Sequence, residues 1–337
     1  MPTSQSKAGT NGRVHGLFRE KRGAPSRVPS SSRATSCQRG LERCDSPSPS
    51  ASLPGMLTEV SAGPYTVRGI SVGGVYTSLQ VPELGVVLDA GVPIRSFAGT
   101  DRIFLSHGHS DHASALGSLL GIRTLIGKGP PQVFLPAEIE APVREALAVQ
   151  GRLHRMSTDI EAVPMRPGDT QHLGHGLWVR AFRTHHTVPS LCYQFFRRVS
   201  KLKPEFQALP PEEIGRRRRA GEPLFDEVDR LELAYATDTL SHVLETAPSL
   251  LDSRVLILEC TFIDAKRTVQ DAQERSHIHL DEILARAERF QNEALVLMHF
   301  SQAYSPDEVH ATLQARAPES LRERLRIFAP TSGRWFG

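Results

Sequence analysis

The run Ser106-His107-Gly108-His109-Ser110-Asp111-His112 places three imidazoles and a carboxylate within a few residues of one another. It follows the apolar stretch Arg102-Ile103-Phe104-Leu105, which reads as a strand. A strand that runs into such a loop aims alternate side chains one way, so His107 and His109 can reach one metal ion. Asp111 and His112 then face a second site nearby. Neutral imidazole and ionised carboxylate are the ligands that zinc takes in catalytic sites, where one position stays open for water. A solvated loop has little use for this order of residues, so the run points to a metal-dependent hydrolase.

The order His-x-His-x-Asp-His after an apolar strand resembles the signature of the metallo-β-lactamase superfamily. The resemblance implies an α/β fold, an αββα sandwich with a single catalytic domain, holding two metal ions. It implies three more ligands, each at the end of a later strand. Residues 178–184 read as a strand that delivers His185 and His186; residues 231–237 end at Asp238; residues 294–298 end at His299. Short apolar runs closed by a polar residue are what buried strands look like. The implied set is His107, His109 and His186 around one Zn2+, and Asp111, His112 and His299 around another. Asp238 would bridge the two, because a carboxylate can bind with each oxygen. Mn2+ and Fe2+ also suit such ligands, and zinc lowers the pKa of bound water to about 7. Strand alternation lets only one of His185 and His186 face the metal, and the family pattern favours His186. Asp89, after the apolar 86–88, matches a family position that supports the ligand loop by hydrogen bonds. The alternative for Asp89 is an ordinary turn-forming residue before glycine.

Further motifs resemble ribonuclease Z, the tRNA 3′-end-processing endoribonuclease, nearest its short plant form. Glu274-Arg275-Ser276-His277-Ile278-His279 resembles the segment whose histidine contacts the scissile phosphate, with His277 favoured over His279. Leu258-Glu259-Cys260-Thr261-Phe262, Thr237-Asp238-Thr239, His299-Phe300-Ser301, and His186 followed seven residues later by Tyr193 resemble other motifs of that family. The resemblance runs from about Gly63 to about Pro330. It implies hydrolysis of an RNA phosphodiester, with precursor tRNA as substrate, leaving a 3′-hydroxyl and a 5′-phosphate. His277 would act as general acid. Glu259, at a strand end, would orient a ligand histidine or face water. Homodimers are common in the family. The long arm of the bacterial form has a short counterpart here, residues 197–230.

The 337 residues divide by composition. Residues 1–55 are rich in Ser, Pro, Arg and Gly and show no apolar periodicity, so they are expected to be a disordered extension. A start at Met56, an RNA-binding arm and a transit peptide are the alternatives for this segment. Its nine Lys/Arg against three Asp/Glu give it a net +6; the chain total is +3, so residues 56–337 carry −3. A slightly acidic catalytic domain must concentrate its positive charge to bind RNA. Arg216, Arg217, Arg218 and Arg219, with Lys201 and Lys203, form the dense cluster expected to contact phosphates; a solvated helix end is the alternative. Expected helices are 142–149, 242–251, 280–290 and 306–315, the last opened by Ser305-Pro306. His154, His172, His175, His242 and His310 lack partner spacing and read as surface residues. Four cysteines, Cys37, Cys44, Cys192 and Cys260, show neither metal nor disulfide spacing. With no apolar stretch long enough for a membrane, a cytoplasmic location is expected. Two other functions remain open: hydrolysis of a small ester, thioester or cyclic phosphodiester, and a metal-binding interaction module without turnover.

Overall fold

A computed structural model describes residues 57–331 and 333–335. The 1–55 segment, Met56, Cys37 and Cys44 lie outside the described residues. Fourteen strands are present among them: Thr58–Ala62 (β1), Tyr65–Val72 (β2), Tyr76–Val81 (β3), Val86–Leu88 (β4), Arg102–Phe104 (β5), Gln132–Pro136 (β6), Glu161–Met165 (β7), Thr170–Gly174 (β8), Leu177–Arg183 (β9), Leu191–Leu202 (β10), Phe225–Ala236 (β11), Val255–Glu259 (β12), Ala294–Met298 (β13) and Leu325–Ile327 (β14).

They form two seven-stranded sheets, β1 to β7 and β8 to β14, each laid out in chain order. Each sheet starts with three antiparallel pairings and ends with three parallel ones. Parallel neighbours need crossover connections, and these put helices on the outer faces. Helices Leu116–Leu125 and Glu140–His154 cover the first sheet; Val269–Glu274, Leu280–Leu284 and Pro306–Arg316 cover the second.

Strands buried on both faces explain the unbroken apolar runs. In β12, Val255 and Ile257 point into the layer between the sheets, while Leu256 and Leu258 meet the outer helices. Val86 and Leu88 of β4 point inward and Val87 outward in the same way. The result is the expected αββα sandwich.

Two expected helices are interrupted. Residues 242–251 hold the short helix Val243–Thr246 and then a 3-10 turn, Pro248–Asp252, because Pro248 cannot donate into a continuing helix. Residues 280–290 hold Leu280–Leu284 and a separate turn, Ala287–Arg289. The helix Pro306–Arg316 opens with a reciprocal cap between Ser305 and Glu308.

Candidate metal centre

Four strand ends deliver the seven ligand candidates. His107 and His109 leave β5 in extended backbone, and the helical turn Ser110–Ala113 carries Asp111 and His112. His186 follows β9, Asp238 follows β11 and His299 follows β13. Asp89, Asp238 and His299 hold φ of 58°, 44° and 63°. Left-handed backbone is costly for such residues; here it turns each side chain sharply over the end of its sheet. Gly91 is needed for a different reason. A Cβ there would stand 1.8 Å from the carbonyl oxygen of Asp111.

The side chains converge. Asp238 Oδ1 lies 3.2 Å from His112 Nε2 and 3.3 Å from His299 Nε2. Asp238 Oδ2 lies 3.8 Å from both His107 Nε2 and His186 Nε2. His186 Nε2 is 3.1 Å from His109 Nδ1, and Asp111 Oδ2 is 3.5 Å from His112 Nε2 and 3.9 Å from His299 Nε2. Two four-residue sets form, His107/His109/His186/Asp238 and Asp111/His112/Asp238/His299, each with its atoms within 4.8 Å of one another, and a smaller group, Glu259/His277/His299, meets the same limit. Atoms bound about 2.05 Å from a tetrahedral ion sit roughly 3.4 Å apart, so both sets have the spacing of a coordination shell. His107 Nε2 is buried with no hydrogen-bond partner among the described residues. Burial without a partner is expensive for an imidazole nitrogen, and a cation would complete it. The donor set fits two divalent ions that share Asp238.

Protonation agrees with this. Burial, then the neighbouring His112, pushes His107 down to about 2, so its ring is the neutral ligand form. Burial opposes ionisation of Asp238, but His112 and His299 overcome it and hold the carboxyl well below the usual range. His112 goes the other way: burial pulls it down, yet Asp238 and Asp89 raise it, so a cation taken up there displaces a proton.

The rear nitrogens of these rings are held in turn. Asp89, fully buried, accepts from His112 Nδ1 at 2.7 Å, from Ser106 N and Oγ at 2.7 and 2.8 Å, and from Tyr235 Oη at 2.6 Å. Ser106 Oγ also lies 2.9 Å from His107 Nδ1. The turn-forming alternative for Asp89 is therefore set aside. Partners of this kind orient a ligand and raise its basicity. Asp89→Asn is expected to weaken metal binding about 10–100-fold, read by titration against a competing chelator; unchanged affinity would make Asp89 a packing residue only.

Glu259, also fully buried, does not face water. It lies 3.1 Å from His277 Nδ1 and accepts from the amides of Thr239 and Ile278 and from Thr261 Oγ1. Thr261 Oγ1 lies 3.1 Å from His299 Nδ1, so the carboxylate orients a ligand histidine through a hydroxyl. The ring of His277 stands 5.4 Å from that of His299 and 5.8 Å from that of His186. Burial lowers the His277 pKa, but the Glu259 charge and hydrogen bond outweigh it and push it up to about 9. His279 is elsewhere: it caps the helix Leu280–Leu284 and binds the carbonyl oxygen of Asp264. His185 lies outside both sets, against Thr246 and the ring of His242. His310 is half-buried against the carbonyls of Ala329 and Pro330, not a free surface residue.

The basic cluster sits on a hairpin. Strands β10 and β11 are twelve residues each and carry the helix Pro211–Arg219 in their connection. Residues 198–202 and 225–229 pair with each other past the ends of the β9 and β12 pairings, about 17 Å of strand, so the 197–230 stretch is a hairpin arm that runs away from the His186 and Asp238 ends of these strands. Its charge is partly spent locally. Glu213 binds both Arg216 and Arg217, Glu222 also pairs with Arg217, and Lys203 faces Asp226 at 3.9 Å. Arg218 lies over the Phe225 ring. Lys201, Arg218 and Arg219 form no ion pair among the described residues.

Sequence reading missed Ser106, Thr261 and Tyr235, which lie inside or beside quoted motifs. Only sheet pairing shows which ring or carboxylate each one meets.

Known proteins share this fold. A model of the beta-lactamase superfamily domain matches residues 86–300. The protein tRNase Z TRZ1 of Arabidopsis thaliana is 32% identical over 271 residues, covering 80% of this chain and 96% of that protein. Two solved structures are similar in fold. The metallo-beta-lactamase fold protein YhfI from Bacillus subtilis is 16% identical with a TM-score of 0.52, covering 83% of this chain and 98% of that one. The short form of human tRNase Z is 18% identical with a TM-score of 0.50, covering 74% and 93%.

Proposed function

This chain belongs to the beta-lactamase superfamily and, within it, to the ribonuclease Z enzymes, and from that membership we propose that it hydrolyses the phosphodiester joining a tRNA to its 3′ trailer with two zinc ions at the centre described. Divalent metal binding and metal-dependent endoribonuclease activity come with the membership. The observation that carries the reading is the Glu259–His277 pair placed beside both ligand sets. When bound, the cations activate water and offset charge on the non-bridging phosphate oxygens.

The chain's own part follows from geometry. His107, His109, Asp111, His112, His186, Asp238 and His299 would hold the ions, with Asp238 common to both. Asp89 and Thr261 keep the rings turned toward them. Glu259 holds His277 at Nδ1, which leaves Nε2 to carry a proton toward substrate. As a water oxygen bonds to phosphorus and the P–O3′ bond breaks, that proton passes to the leaving 3′-oxygen, giving a 3′-hydroxyl on the tRNA and a 5′-phosphate on the trailer. The full chain incubated with precursor tRNA should release a trailer with a 5′-phosphate. No cleavage, or a 3′-phosphate on the tRNA, would sink this reading.

The arm supports RNA contact at a distance from the chemistry. Arg218→Glu with Arg219→Glu should raise KM and flatten its salt dependence by about 0.7–0.9 per lost phosphate contact, with kcat unchanged. A KM that does not move removes the arm from the interface. Among the described residues no helix is long and apolar enough to cross a membrane. A homodimer is supported by exposed Leu125 and Leu153 on the helices over the first sheet. A cytoplasmic location is supported by the free buried thiols of Cys192 and Cys260.

A further inference from the structure

A cavity of about 240 Å³ opens beside His186, with Pro136, Glu138, Arg183, Thr184 and Ser190 among its walls. Arg183 ends β9, three residues before His186, and Glu138 lies in the turn after β6. The cavity thus lies between the two sheets at the end that carries the metal centre. Arg183 and Glu138 are both exposed, and neither side chain forms a hydrogen bond or ion pair among the described residues. They do not neutralise each other, so both charges are available to a ligand. His186 closes the inner end of the cavity, its side chain only 3% exposed.

These groups select a chemistry. A free guanidinium recognises phosphate oxygens through its planar fork. A free carboxylate only accepts hydrogen bonds and repels an anion, so a bare phosphate uses one wall and is opposed by the other. A ligand with a phosphate at one end and a hydroxyl donor at the other satisfies both. The volume is below that of drug-sized sites, about 300–1,000 Å³, and suits one sugar–phosphate unit. The ribose 2′-hydroxyl is such a donor, and it is the group that tells RNA from DNA.

We propose that this cavity is a ribonucleotide subsite: Arg183 binds the phosphate, and Glu138 accepts the 2′-hydroxyl, of a nucleotide adjoining the scissile bond. The proposal rests on the RNA reading above and deepens it, since it makes the chain select ribose at one position by direct contact.

The test uses labelled precursor tRNA, all-ribose or with a single 2′-deoxy nucleotide on one or the other side of the cleavage site. Binding is measured on the full, metal-loaded chain in a His277→Ala background, which slows turnover. One of the two deoxy substitutions should weaken binding about tenfold, the size of a hydrogen bond to a charged group. Glu138→Ala should erase that difference. Arg183→Ala should weaken all three RNAs several-fold and lower the slope of log K against log salt by about 0.7–0.9. Both side chains are exposed, so the melting midpoint should stay put and report intact folding. Equal binding of ribose and deoxyribose at both positions, or an Arg183→Ala chain with unchanged Kd and salt slope, overturns the subsite. Binding that follows these expectations without cleavage by the wild-type chain sinks the nuclease reading alone. Correct cleavage with an indifferent Arg183→Ala sinks the subsite alone. A parent that binds none of the RNAs overturns both.

Discussion

Asp238→Ala should abolish precursor cleavage, lowering kcat by at least about a thousandfold, or roughly 4 kcal/mol of barrier, and should empty both metal positions. The expectation follows from one carboxylate serving two ligand sets: Oδ1 faces His112 and His299, and Oδ2 faces His107 and His186. Its ionised form, held by His112 and His299 against burial, is also the one carboxylate in the His107/His109/His186 set among the described residues. Bound metal per chain and single-turnover rate are the two readouts. A variant that loses one ion and keeps the other fully occupied would show that Asp238 does not bridge. Asp111→Ala is the contrasting case, since Asp111 belongs to one set and should spare the His107/His109/His186 position.

His277→Ala should lower kcat by about 10²–10⁴-fold, the usual worth of a positioned acid, while bound metal stays at the wild-type level. The distinction matters because His277 lies near His299 and His186 and groups with Glu259 and His299, but belongs to neither of the two sets that share Asp238. The pH profile carries the same information. Burial pulls the His277 pKa down and Glu259 pushes it up to about 9; bound cations nearby would draw it lower again. The acid is protonated below its pKa, so wild-type kcat should fall as pH rises through it, and that limb should vanish in His277→Ala. Glu259→Gln removes the charge that raises the pKa and should move the limb to lower pH. The sign for stability is the same: the Glu259–His277 contribution is full below the ordinary value of 6.5 and is lost as pH climbs through the raised one. A fully active His277→Ala chain would end the acid assignment.

The centre was legible in the sequence where its parts are local. His107 to His112 share one loop, so their spacing alone suggests two sites. His186, Asp238 and His299 were legible because the family resemblance calls for ligands at later strand ends, and strands buried on both faces leave unbroken apolar runs that mark those ends. Glu259 was harder: a strand-end carboxylate looks the same whether it meets water or, as here, His277 and Thr261. Thr261, Ser106 and Tyr235 were missed because their partners lie on other strands, and a hydroxyl has no spacing rule of its own. The local pairing of the arm's charges was legible too. Glu213 precedes Arg216 and Arg217 by three and four residues, the spacing at which helical side chains meet, so part of the apparent positive charge was already spent. Pro248 likewise announced the break in the 242–251 helix. Arg183 and Glu138 carry no signal along the chain, since what matters is that two sheets bring them to one cavity.

The division of the ligands between the two sheets has a consequence for synthesis. Residues of the first sheet emerge from the ribosome with His107, His109, Asp111 and His112 already in place, yet they form only half of each chelator. Closure of the first position waits for Asp238, and closure of the second waits for His299, near the end of the chain. On the proposed ligand set, a polypeptide that stops before His299 lacks a complete centre with which to nick cellular RNA, and cleavage power arrives only after that residue is made.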